Sequence, residues 1–149
     1  MKIFIAADHA GFELKENLKP YMEKMGHEVE DLGPFKYEES DDYPDFCSLV
    51  ARAVSANPHT AGIVIGGSSV GEAIVANRFK HVRAFGYYGG PMDVIKLSRA
   101  HNDTNILSLG ARLINPEEAM YAVKVWLTTD FSGEARHVRR INKLDALGA

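Results

Sequence analysis

The chain predicts an α/β fold: a parallel sheet covered by helices on both faces. Three observations predict it. Short apolar runs alternate with longer segments whose apolar residues recur at helical spacing. The short runs are apolar throughout, as in strands buried on both faces. Glycine-bearing turns follow most of these runs. With 149 residues, 46% hydrophobic and 25% charged, residues 1–149 read as one globular domain with a real core.

Lys2-Ile3-Phe4-Ile5-Ala6-Ala7 reads as the first strand, and Asp8-His9-Ala10-Gly11 as the turn after it. Leu14, Leu18, Tyr21, Met22 and Met25 share one helical face, with Gly26 as the C-terminal stop. His27 to Leu32 is a second strand closed by Gly33-Pro34. The acidic loop Glu38-Glu39-Ser40-Asp41-Asp42 leads to Tyr43-Pro44, and Pro44 suits a first helical turn. That helix turns Phe46, Leu49, Val50 and Val54 inward and stops before Asn57-Pro58.

The third strand holds Ile63-Val64-Ile65, followed by Gly66-Gly67-Ser68-Ser69-Val70-Gly71. Glu72 then opens a helix with Ile74, Val75 and Phe79 at helical spacing. Val82 to Tyr87 is the fourth strand, broken by Gly89-Gly90-Pro91. Met92 to His101 is helical, and Ile106 to Leu109 is the fifth strand, ending at Gly110-Ala111-Arg112. Pro116 starts a helix through Trp126 with Ala119, Val123 and Leu127 on one face. Val138, Ile141, Leu144 and Leu147 mark a last amphipathic helix.

Composition excludes some partners. A net charge of −3 gives no bias toward nucleic acid or an anionic membrane surface. No apolar run reaches transmembrane length, and Lys2 to Ala7 is too short for a signal peptide. Cys47, the single cysteine, has no internal disulfide partner and fits a reducing, cytoplasmic setting.

In open parallel sheets, ligands sit beyond the carboxyl ends of the strands. The turns at Asp8-His9, Gly66 to Gly71 and Gly110 to Arg112, and the break at Tyr88 to Pro91, all fall on that edge. The turn from Gly66 to Gly71 aims backbone N–H groups at one spot beside a helix N-terminus. It suits an anion, either a phosphate or an oxyanion made during reaction. The plain alternative is a tight turn whose glycines only let the chain reverse.

Glu72 is the best-placed acid or base, although a helix N-terminus lowers a carboxylate pKa and a base working near neutrality needs a raised one. His101-Asn102-Asp103 is either a polar helix end or a source of acid–base and hydrogen-bonding groups. Arg136 and Arg140 lie four apart and suit one phosphate, or form an ordinary solvated face. Cys47 is read as packing. Gly67-Ser68-Ser69-Val70-Gly71 also matches the G-x-S-x-G nucleophile elbow, which would make Ser69 a hydrolase nucleophile with Asp103 or Asp130 and His137. No HGGG-like oxyanion segment accompanies it.

In this order the chain carries Asp8-His9-Ala10-Gly11-x-x-Leu14-Lys15, Asp42-Tyr43-Pro44, Gly66-Gly67-Ser68 through Gly71-Glu72, Ala76-Asn77, Ser98-Arg99-x-His101-Asn102-Asp103 and Arg136-His137-x-x-Arg140. The ordered set resembles the RpiB/LacAB sugar-phosphate isomerase family over nearly the whole chain. The resemblance implies a Rossmann-like three-layer fold with a five-stranded parallel sheet, a homodimer or higher oligomer with shared active sites, and no metal or organic cofactor. It implies interconversion of an aldose and a ketose phosphate, ribose 5-phosphate and ribulose 5-phosphate, through a cis-enediolate. One branch uses a cysteine base at the position of Gly66; this chain resembles the other, with a glutamate at the position of Glu72. It further implies that Ser68 and the Gly67 to Gly71 amides, with Ser69 among them, hold the enediolate. His9, Arg112, Arg136 and Arg140 would hold the phosphate. Asp8, Tyr43, His101 and Asn102 would serve ring opening and the sugar hydroxyls.

Two features depart from the family. Ser69 stands where a small residue, mostly glycine, is usual, and the segment from Arg83 to Ser98, with Tyr87 to Pro91 inside it, runs slightly long. They keep a six-carbon substrate such as allose or galactose 6-phosphate open. A serine hydrolase at Ser69 and a non-catalytic phosphosugar-binding module are the alternatives from other classes.

Overall fold

The computed structural model describes residues 1–148. In chain order the elements are β1 (Lys2–Ala7), α1 (Phe12–Lys24), β2 (Glu28–Asp31), α2 (Tyr43–Ala56), β3 (Ala61–Gly66) and α3 (Val70–Ala76). They continue with β4 (Ala84–Tyr87), α4 (Met92–Asn102), β5 (Ile106–Gly110), α5 (Pro116–Thr128) and α6 (Ala135–Asp145). All five strands are parallel in the order β2-β1-β3-β5-β4, the Rossmann-like α/β sheet expected.

Side-chain alternation along the strands divides the core in two. Ile3, Ile5 and Ala7 of β1 meet Leu14, Leu18 and Met22 of α1 and Val123 and Trp126 of α5. Phe4 and Ala6 meet Cys47, Val50 and Val54 of α2 and Ala76 of α3 on the other face. Each fully buried isoleucine or leucine contributes on the order of 2 kcal/mol, so the sheet and its two apolar faces carry the stability.

The winding reverses between β1 and β3. From β1 the chain goes outward to β2, then returns to pair β3 on the other side of β1. The carboxyl ends of β1 and β3 therefore flank a crevice. Lys15, fully buried, braces this end. Its ammonium donates to both Asp31 carboxylate oxygens (2.8 and 2.7 Å) and to the Pro34 carbonyl (2.8 Å).

Three helical faces differ from expectation. In α2, Leu49 is exposed and Phe46 half-buried, while Cys47, Val50, Ala51 and Val54 face the sheet. The small Cys47 and Ala51 let the helix approach closely. In α3, Ile74 is exposed, and the buried residues are Glu72 and Ala76. A helix of seven residues is too short to stand alone, so its phase is set by the turn before it. In α6, Ile141 and His137 are buried, while Val138 and Leu144 remain exposed, as does Leu147 just past the helix. The apolar face is real, but within the chain only its middle is covered.

Candidate active site

The site is built on the turn after β3. The Gly66 and Gly67 carbonyls accept from the Ala111 (2.8 Å) and Arg112 (3.1 Å) N–H groups, and the Ile65 carbonyl accepts from the Asp8 N–H (3.1 Å). These bonds lock the turns after β1, β3 and β5 together at one edge. Among the described residues, the N–H groups of Gly67, Ser68, Val70 and Gly71 donate to no backbone acceptor in turns, loops or caps. They form a row of free donors with the exposed Ser68 side chain beside them.

Ser69 takes the left-handed conformation, φ 72°, that starts α3. Its carbonyl accepts from the buried Ser108 hydroxyl (2.8 Å). Its own hydroxyl is buried against Gly86, 3.0 Å from where a Cβ there would stand, and has no hydrogen-bond partner among the described residues. A serine nucleophile needs a base in hydrogen-bond reach, and Ser69 has none. Ser69 instead shapes the turn.

Glu72 is only 4% exposed, and its carboxyl lies over the Cα of Gly66, where a Cβ would overlap it. Oε2 is buried with no partner among the described residues. Burial is the largest influence and pushes the Glu72 pKa above the ordinary carboxylate value. Its own backbone N–H opposes this, and the Asp8 charge adds to it. Burial and the Asp8 charge thus act against the lowering influence of the helix N-terminus.

Asp8 is also buried, with Oδ1 accepting from the Ala10 (2.9 Å) and Gly11 (3.2 Å) N–H groups. His9 meets Asp41: its backbone N–H and its Nδ1 reach Asp41 Oδ1 at 2.9 and 2.8 Å. The hydrogen bond to Asp41 is the main cause raising the His9 pKa, helped by the Asp8 and Asp41 charges against burial and Arg112. Asp8, His9 and Asp41 place one ligand atom each within 4.8 Å of one another, the geometry of a metal cluster. His9 Nδ1 is engaged by Asp41, and that hydrogen bond favours the protonated ring, which suits an anion. Arg112 passes beside Gly67, its Nη1 3.5 Å from a Cβ placed there. Tyr43, at the start of α2, lays its ring against Gly71, whose Cβ would stand 2.6 Å from Tyr43 Cζ.

Asp8, His9, Tyr43, Gly67, Ser68, Gly71, Glu72 and Arg112 thus gather at the carboxyl edge. His101, Asn102, Arg136 and Arg140 do not. Helix α4 runs back along the sheet, so its last residues lie at the amino edge, where Arg83, just before β4, donates to the Asn102 carbonyl (3.0 Å). A five-residue strand separates the two edges by about 16 Å. His101 stacks on His137 of α6, which also carries the exposed Arg136 and Arg140. A cavity of about 650 Å³ also opens at the amino edge, among His59, His81, Arg83, Arg99 and Trp126. Of the candidates only Asp103 of the hydrolase alternative lines it, and its arginines are paired with Asp103 and Asp145.

Cys47 is fully buried, and burial, aided by the Glu72 and Asp8 charges, pushes its thiol pKa far up. A thiol so held is inert. Two neighbours of the site escaped sequence reasoning. Asp41 looked like one of several loop acids. His137 reads in the sequence as part of a motif with Arg140 and as the histidine of the hydrolase alternative, not as a partner of His101.

Comparison with known proteins adds an independent line. The profile of the family described as Ribose/Galactose Isomerase matches residues 3–144. The chain is 38% identical to ribose-5-phosphate isomerase B of Mycolicibacterium paratuberculosis, over 97% of this chain and 89% of that one. It is 38% identical to the Escherichia coli protein of the same name, over 98% and 95%. Ribose-5-phosphate isomerase B from Mycoplasma genitalium, solved with bound ribulose-5-phosphate, superposes with a TM-score of 0.92 at 37% identity, covering 97% and 93% of the two chains. The Thermotoga maritima structure gives 0.88 at 45% identity, covering 97% of each.

Proposed function

The chain belongs to the ribose/galactose isomerase family, and on that premise we propose that it interconverts D-ribose 5-phosphate and D-ribulose 5-phosphate through a cis-enediolate, with Glu72 as the base. The observation that carries this reading is the Glu72 carboxyl itself: buried, raised in pKa, and set beside a row of unbonded amides. An ordinary structural glutamate would be paired or solvated.

The roles in the proposed steps are those that the family resemblance implies, supported by this geometry. His9 and Arg112 hold the substrate phosphate, completed by Arg136 and Arg140 of the partner subunit; charge-assisted, bidentate donors suit a dianion. His101 of the partner subunit, with Asp8, moves the proton that opens the sugar ring, while Tyr43 and Asn102 of the partner subunit hold hydroxyls. Glu72 removes the proton from C2 as the C1 carbonyl oxygen takes up negative charge. The Gly67 to Gly71 amides and the Ser68 hydroxyl stabilise that oxygen. The O2 proton passes to O1 within the cis-enediolate, and protonated Glu72 delivers its proton to C1 as the C2 carbonyl forms, giving the ketose and restoring the carboxylate. Electrons stay within the substrate, so the reaction needs only the carbon-bound proton carried by Glu72 and the O2-to-O1 proton shift beside the oxyanion hole.

The separation of the two residue groups within one chain supports a homodimer or larger oligomer with shared sites. The exposed Val138 and Leu144 of α6 and Leu147 just beyond it support it too. No helix among the described residues is long and apolar enough to cross a membrane, and we assign the enzyme to the cytoplasm as a single isomerase domain. The direct test follows ribose 5-phosphate by NMR in deuterated buffer with wild type and Glu72→Gln. Ribulose 5-phosphate formation that collapses in the variant is expected. Near-full activity in Glu72→Gln removes Glu72 as base, and an inactive wild type turns the assignment to six-carbon phosphates.

A further inference from the structure

His137 has no role in the steps above, yet it is among the most enclosed polar groups of the chain, 4% exposed. Its ring stacks on that of His101, with centroids 4.2 Å apart and planes within 15°. Its Nε2 is buried with no hydrogen-bond partner among the described residues, so that nitrogen does not orient the ring. The stack is the contact that pairs it with His101.

The seat of the stack is built. Residue 137 lies in the first turn of α6 and residue 101 in the last turn of α4. The intervening chain is tied back to α4 by the Ser132 N–H on the Ala100 carbonyl (3.0 Å) and by Arg99 Nε on the Thr129 carbonyl (3.3 Å). Burial is the largest influence lowering the His137 pKa. His101, Arg136 and Arg140 add to it, and Glu134 opposes. A neutral ring faces His101 without repelling a proton placed there.

We propose that His137 is a positioning residue whose flat, buried face fixes the plane of the His101 imidazole for proton transfer at the sugar ring. The proposal rests on the role given to His101 above. An unsupported imidazole at a helix end turns about two torsions, and a misdirected acid loses rate without losing substrate. The same helix carries Arg136 and Arg140, so the acid and half of the phosphate clamp form one rigid unit.

The test is a mutant cycle in kcat and KM for ribose 5-phosphate, using His101→Ala, His137→Leu, the double variant and His137→Phe, with the Tm of each. Leucine fills the seat without a flat face, and phenylalanine keeps one. We expect His137→Leu to lose about tenfold or more in kcat with KM within about twofold. His137→Phe recovers most of that loss, and the double variant is within about twofold of His101→Ala. In NMR spectra the His101 Cε1–H signal carries a ring-current shift that His137→Leu abolishes and His137→Phe retains. Loss of kcat in His101→Ala with none in His137→Leu overturns the positioning role alone. An equal His137→Leu loss in both backgrounds also overturns it. Unchanged kcat in His101→Ala overturns the role of His101, and the proposal with it.

Discussion

The Glu72 carboxyl occupies the space that any side chain on Gly66 would need. A residue at 66 and an inward glutamate at 72 exclude each other. The resemblance offers a thiol at the first position or a carboxylate at the second, and this chain has room for one. Gly66→Ala is therefore expected to swing the flexible Glu72 side chain aside while the backbone stays. A displacement of about 1 Å at a reacting group costs on the order of a hundredfold in rate. Steady-state kinetics should show kcat down by about that factor, with the circular dichroism spectrum unchanged. Full activity in Gly66→Ala would remove Glu72 from the chemistry.

Burial of Glu72 also sets a pH dependence. Its pKa is raised in the folded protein, so the folded state holds the proton more tightly than the unfolded chain. The stabilising contribution is complete below the ordinary carboxylate value and is lost as pH rises through the folded-state pKa. Above that folded-state pKa the wild type carries an ionised, buried carboxylate. Glu72→Gln resembles the protonated form and is expected to be more stable than wild type near pH 7. The gap should close toward pH 4. Urea unfolding of both proteins at the two pH values checks this, and a constant gap contradicts it. In the pH–rate profile, the acid limb of kcat should fall above the ordinary carboxylate range.

The sheet was legible because parallel strands buried on both faces read as plain apolar runs, and Ile3 to Ala7, Ile63 to Ile65 and Ile106 to Leu109 are such runs. Helix faces were less so. Apolar periodicity selected Leu49 and Ile74, but close approach to the sheet selected Cys47 and Ala51, and the turn at Ser69 rotated α3 to bury Glu72. The carboxyl-edge residues followed from the rule that ligands lie beyond strand ends. Asp41 and His137 did not, because their meaning lies in a partner distant in sequence: 32 residues from His9 for one, His101 for the other.

Asp41 favours the charged form of His9. The raised His9 pKa means that its protonated form persists above the ordinary imidazole value. The linked stability is full below that value and fades as pH rises through the folded-state pKa. Asp41→Asn removes the charge and weakens the hydrogen bond. The expected result is a KM for ribose 5-phosphate that rises several-fold at pH 7.5, with kcat little changed and the difference narrowing near pH 6. An NMR titration of the His9 ring should show its pKa falling in the variant. A KM that rises equally at both pH values would mean that Asp41 positions the loop rather than the charge.

The placement of His101, Arg136 and Arg140 at the amino edge, a strand length from Glu72, makes a prediction about assembly. If each site joins the Glu72 group of one subunit to the His101 group of another, Glu72→Gln and His101→Ala damage different halves. Each homodimer then has two broken sites. A hybrid dimer has one site carrying both lesions and one carrying neither. Random mixing makes about half the dimers hybrid, each with one sound site, so activity should recover to about a quarter of wild type. The measurement is turnover after co-expressing the two differently tagged variants and isolating the doubly tagged species, which should reach about half of wild type. Absence of recovery in the purified hybrid would mean that both groups serve one chain, which about 16 Å of separation along a strand opposes. Recovery would also identify the apolar Val138 and Leu144 face of α6, continued by Leu147, as the first place to look for subunit contact, since Arg136 and Arg140 on that helix would then have to reach across it.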